Sequence, residues 1–117
     1  MANPNLLTLT TVAGGTSVQA VTTTATAIVT NSAASGKIIR VKALYISNVD
    51  GAANGDVNVD IYRGSTAYHI AKTVSVPADS TIDVISKDIY LQEGDTLRLT
   101  ADINNVLEAV CSYEEIS

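Results

Sequence analysis

From residue 37 onward the chain is a succession of short runs in which apolar and polar side chains alternate, each closed by a cluster of Gly, Asn, Asp, Pro or Ser. Only an extended strand turns a period of two into one apolar face, so this pattern restricts the chain to β structure. KIIRVKALYISN, DVNVDIYR, TAYHIAKTV, TIDVIS, IYL, TLRLTADI and VLEAVCSYEEI are such runs, and VDGAANGD, GS, VPADS, QEGD and NN lie between them. No stretch of useful length repeats apolar residues at helical spacing. Thirteen Val, eleven Ile and fourteen Thr reinforce the assignment, because β-branched side chains lose rotamer freedom in a helix and pack well on a pleated surface. With no Phe and no Trp, the core must be built from Val, Ile, Leu and Ala. A chain of 117 residues is enough for one such core. The expectation is a single all-β domain over residues 1–117, an eight- or nine-stranded antiparallel β-sandwich of jelly-roll-like type.

Within this frame, KIIRVKALYISN reads as a central strand buried on two sides, with Ile39, Val41, Ala43 and Tyr45 on one face and Leu44 and Ile46 on the other. Gly64-Ser65 is a two-residue link with Gly first, which suits a type II′ hairpin turn. It sets Arg63 opposite Thr66, Tyr62 opposite Ala67, Ile61 opposite Tyr68 and Asp60 opposite His69. Val57, Val59 and Ile61 then share an inner face, while Asp56, Asn58, Asp60 and Tyr62 share a wet one. Farther on, Leu97, Leu99 and Ala101 point inward, with Thr96, Arg98 and Thr100 outward.

Candidate chemistry is sparse. Asp60 and His69 form a carboxylate–imidazole pair, but nucleophilic catalysis also needs an activated Ser, Thr or Cys, and a structural zinc site needs about four ligands. The chain has one histidine and one cysteine, Cys111, which its surroundings place as a buried strand thiol. Asn48, Asp50, Asn54 and Asp56 crowd one loop, yet their spacing misses the calcium-loop pattern of alternating oxygen ligands, an internal Gly and a closing Glu. Gly14-Gly15 lacks the downstream Lys and the helix of a phosphate loop. Tyr45, Tyr62, Tyr68, Tyr90 and Tyr113 would make a glycan platform only if several were exposed together. No catalytic, cofactor-binding or metal-ligating set is assigned, no cofactor is expected, and the expectation is a protein that is not an enzyme.

Net charge is −5, and the seven basic residues are scattered, which speaks against a nucleic-acid surface. No basic region leads into an apolar run and nowhere do 18 apolar residues follow one another, so a soluble, unexported chain is expected, with no membrane partner. The charges themselves are unevenly placed: residues 1–36 contain no Asp, Glu, Lys or Arg. This Thr/Ala-rich segment alternates in LTLTTV and TATAIVTN and is punctuated by Gly14-Gly15 and Ser35-Gly36, so it reads as two strands with loops. Two readings stay open, that these strands complete the sheets, or that the segment is an assembly contact covered by another subunit.

KIIRVKALYISNVDG, VPADSTIDVISKDIYLQEGDTLRL and the closing VCSYEEIS together resemble small virion structural proteins of tailed bacteriophages, notably of cyanophage type. That resemblance implies a β-sandwich particle component located in the virion and made in the host cytoplasm. A capsid decoration (cement) protein on the major capsid protein is the first expectation, and a neck, tail or fibre module, with receptor or glycan binding, the alternative. LQEGDTLRL is also similar to the late strand of trimeric jelly rolls of the tumour-necrosis-factor type, which implies a homo-oligomer, with a trimer favoured.

Overall fold

Nine strands run through the computed structural model, which describes residues 5–117. They are β1 (Val12–Val21), β2 (Thr26–Thr30), β3 (Ile38–Asn48), β4 (Gly55–Arg63), β5 (Thr66–Val76), β6 (Thr81–Asp83), β7 (Ile89–Leu91), β8 (Thr96–Ala101) and β9 (Leu107–Ile116). No helix occurs among the described residues. One sheet is ordered β1-β9-β3, with both β6 and β7 on the far side of β3, and the other is ordered β2-β8-β4-β5. All pairings are antiparallel. The pairs are nested: β1 with β9, β2 with β8, β3 with β6 and β7, β4 with β5, as in one long hairpin folded over on itself. The two sheets form a β-sandwich.

The core is the set of inner faces. Val21, Leu44, Ile46, Val57, Val59, Leu97, Leu99, Leu107 and Cys111 are all fully or almost fully buried in one aliphatic cluster. Leu97, Leu99 and Ala101 alternate inward along β8 as the sequence pattern requires. Strands β1 and β2, from the uncharged segment, complete one sheet each, and Val21, Ile28 and Val29 join the common core.

Local geometry differs from the sequence reading at three places. Gly14-Gly15 does not interrupt a strand but lies inside β1, which begins only at Val12, the last residue of LTLTTV. The reason is a close approach: a Cβ on Gly15 would sit 2.8 Å from Cζ of Tyr113, so the glycine makes room for a ring. Strand β3 is central, but its phase changes. The β3–β9 register slips between Val41 and Ala43, so a β-bulge at Lys42 adds a residue and reverses the alternation. Ile39 and Val41 before the bulge and Leu44 and Ile46 after it all join the core, while Tyr45 is 44% exposed on the outer face. Finally, Gly64 and Ser65 have φ of 58° and 64°. Two consecutive positive values make a type I′ turn, not type II′. Loop length alone fixes the register, so Asp60↔His69, Ile61↔Tyr68, Tyr62↔Ala67 and Arg63↔Thr66 pair as expected despite the change of turn.

Candidate functional site

The outer face of the four-stranded sheet carries the carboxylate–histidine pair, but the carboxylate has another partner. Register places Asp60 between His69 on β5 and Arg98 on β8. Arg98 Nε donates to Asp60 Oδ1 at 2.9 Å and its Nη2 to Oδ2 at 3.4 Å. The guanidinium also lies over the Tyr62 ring, 4.0 Å from its centroid, a stacking that suits a planar cation. Asp60 is thereby buried to 3% exposure, a correction to its expected place on a wet face. His69 stays exposed on the edge strand. With both carboxylate oxygens held by Arg98, the cluster binds β4 to β8 instead of orienting an imidazole.

The polar loop resolves in the same way. Asn48 is buried and donates to the carbonyls of Ala53 and Val76 at 2.8 and 2.9 Å, while its Oδ1 accepts from the Asp50 amide. Asp50 Oδ1 accepts from the amides of Ala52 and Ala53, which hold its carboxyl below the ordinary carboxylate range. Asn54 accepts from the Ala78 amide, and Asp102 accepts from the Asp56 amide. The Asn48 and Asp50 oxygens close backbone turns, and those of Asn54 and Asp102 tie separate segments of the chain together. Among the described residues no three His, Cys, Asp or Glu side chains group as metal ligands.

Two buried polar residues were missed in the sequence. Asp95 receives Arg63 in a fork at 2.7 and 2.6 Å, which raises the Arg63 pKa, and also caps the Gln92 amide. Asn31 donates to the carbonyls of Lys37 and Leu91 at 3.0 and 2.9 Å, tying the β2–β3 loop to β7. The Asp beside the Gly94 turn was visible in QEGD, but its partner lies 32 positions away and no local pattern announces it.

The five-stranded sheet presents a different outer face. Val18, Val110 and Tyr45 fall in one row across β1, β9 and β3, at 68%, 38% and 44% exposure. Thr16, Ser112 and Ala43 form the adjacent row, so the neighbourhood is small and uncharged there. Beside the β1–β9 seam, Val18, Ala20, Glu108 and Val110 border a shallow depression of about 380 Å³. Toward one end, Arg40 pairs with Glu114 at 3.3 Å, with Tyr90 beside it. The tyrosines do not converge: Tyr45 and Tyr90 are on this face, Tyr62 is under Arg98 on the opposite sheet, Tyr68 is on β5 and Tyr113 packs on Gly15. Cys111 is fully buried beneath β9, and burial pushes its thiol up to about 11.

No protein-family model matches the chain, and no curated protein matches it significantly.

Proposed function

We propose that the chain is a non-enzymatic structural protein of a tailed-phage virion, a capsid decoration protein that lays the outer face of its five-stranded sheet on the major capsid protein. The observation carrying this reading is the exposed row Val18–Val110–Tyr45, flanked on one side by the uncharged row Thr16–Ser112–Ala43, since contiguous exposed apolar surface on a soluble domain marks a contact site. Its aliphatic core and the use of its loop carboxylates as turn caps suit a rigid module whose product is a surface. Nested strand pairing supports the jelly-roll form of the sandwich, with β6 and β7 together filling the place of one strand. A neck, tail or fibre position would use the same surface against a different virion protein.

Electron microscopy of purified particles carrying a labelled copy of the chain tests the reading. Label repeating over the capsid lattice supports a decoration protein, label at one vertex or on the tail supports the neck or fibre position, and absence from particles overturns the virion role. Double substitution Tyr45→Glu and Val110→Glu is expected to remove the chain from particles while its melting temperature stays within a few degrees, both positions being partly exposed.

A further inference from the structure

The groups that β1 turns to its open edge follow from one pair of hydrogen bonds. Just before the strand, Thr11 and Ser117 exchange N–H···O bonds in both directions, each 2.8 Å. They continue the register Val12↔Ile116. In an antiparallel ladder such reciprocal pairs alternate with positions whose N–H and C=O point the opposite way. The odd-numbered residues 13–21 therefore bond to β9, and Val12, Gly14, Thr16, Val18 and Ala20 direct their amides and carbonyls away from it. Thr22, the next even position, fits this phase: its carbonyl accepts from the Ala101 amide of the other sheet at 2.8 Å. Among the described residues, no hydrogen bond engages the outward backbone groups of those five.

Other edges of the sandwich are guarded. Strand β5 carries Lys72 and two register slips against β4, one of them at Thr73, whose φ is 53° and whose amide is taken by Asn58 at 2.6 Å. Strand β2 is five residues long and slips between Ala27 and Val29. Strands β6 and β7 have three residues each. Bulges, charges and shortness are the usual means of preventing edge-to-edge pairing. Strand β1 has ten residues, an unbroken register, no charge and no proline.

We infer that β1 is a homodimerisation edge, at which two copies pair antiparallel over residues 12–20 about a two-fold axis at Thr16 and join their five-stranded sheets into one. This inference stands on the edge geometry and does not require the virion reading. A second copy fits better than a foreign strand because the sequence is complementary to itself in this register. Thr16 faces Thr16, Val18 faces Gly14 and Ala20 faces Val12, so all five outward residues of both copies find partners. The more exposed of the strand's two outward valines, Val18, comes to lie beside the bare Gly14, around which even a Cβ would meet nothing within 4 Å. Faces also match, since every pair joins even with even or odd with odd. Net charge does not oppose it: the nearest acidic row, Glu108 and Glu114, is on β9, and three strand spacings, about 14 Å, separate the two β9 strands. That exceeds the screening length of about 8 Å at physiological salt.

Such an edge is about 33 Å long and one sheet, about 10 Å, thick, hence roughly 330 Å² in projection, against ~800 Å² per partner in a stable complex. The pair is therefore concentration-dependent. It closes on itself, so it builds dimers and not the trimer implied by LQEGDTLRL.

Sedimentation equilibrium and amide hydrogen exchange of the full chain from roughly 10 µM to 1 mM test it. The expected result is a monomer–dimer equilibrium in which the amides of Val12, Gly14, Thr16, Val18 and Ala20 gain protection with concentration. Thr16→Lys places like charges together on the axis and should weaken the dimer at least about tenfold with the melting temperature unchanged, and an equimolar mixture with Thr16→Glu should restore pairing. Thr16→Pro removes an outward N–H and should do the same, whereas Ser17→Pro removes an N–H bonded to β9 and should unfold the chain. A wild-type chain that stays monomeric at 1 mM, one that forms trimers, or a dimer indifferent to Thr16→Lys overturns the inference.

Discussion

A buried carboxylate with a forked arginine is a different object from an exposed one facing a histidine. Asp60 has almost no contact with water and Arg98 is partly buried, so removing the acid leaves a cation stacked on Tyr62 without its counter-charge. Asp60→Ala should lower unfolding free energy by about 2–3 kcal/mol in urea denaturation. His69→Ala should change it by less than about 1 kcal/mol, since the imidazole is exposed and holds neither oxygen. Sequence alternation gave the correct row for Asp60 but not its depth, because the partner that buries it is 38 positions away. Cys111 supplies a pH test. Burial raises its thiol from 9.0 to about 11, so the folded state keeps a proton that the unfolded chain releases above 9. Its stability contribution is fully present below that value and is lost as pH rises toward 11, about 2 kcal/mol across the window. Thermal melts from neutral to alkaline pH should show a steeper decline for the wild type than for Cys111→Ala.

Strand β1 depends on one residue whose importance is set by something far away in sequence, and strand β3 carries one residue more than its pairing needs. Gly15→Ala would place its Cβ 2.8 Å from the Tyr113 ring and should cost about 1–2 kcal/mol, while Gly14→Ala meets open space and should be neutral or slightly stabilising. Denaturation midpoints of the two variants separate a packing requirement from a flexible break. In β3 Lys42 is the extra residue of the bulge, unpaired with β9. Lys42→Ala should shift stability by less than about 0.5 kcal/mol, and deleting Lys42 would join Val41 to Ala43, remove the bulge and keep Ile39, Val41, Leu44 and Ile46 on one inward face, so the chain should still fold, as read by circular dichroism. Those two places also show the limit of local pattern. Period-two alternation was enough for β4 and β8, where one face stays inward throughout. It failed where a bulge changed phase within a run, and a glycine pair looked like a turn because the ring that needs it comes from Tyr113. The hairpin register survived an incorrect turn type because two linking residues fix the register whatever the sign of their φ angles.

At the scale of the whole molecule, the nested pairing makes the last strand as necessary as the first. Strand β9 lies between β1 and β3, so a chain ending at Asn105 would leave β1 with no partner in its sheet and should remain unfolded by circular dichroism and near-ultraviolet signal. Such long-range pairing also places folding in the millisecond-to-second range typical of β-sandwiches. A candidate surface was only partly legible in the sequence. The uncharged first 36 residues marked β1 as unusual, but whether they built the fold or met a neighbour depended on geometry. The strand does the first with its inner side and leaves an outer face and one edge open. Val29, by contrast, is a core position and no place to probe association.

The reciprocal bonds between Thr11 and Ser117 set the two ends of the β1–β9 ladder side by side. A force drawn through both ends would pull them apart across the ladder and open it one pair at a time, like a zipper, instead of shearing the whole ladder at once. A single-molecule pull on handles joined at the two termini should therefore rupture this sandwich at low force, beginning at Thr11–Ser117. The same molecule held at Thr11 and Leu107, at opposite ends of the paired strands, should resist much longer.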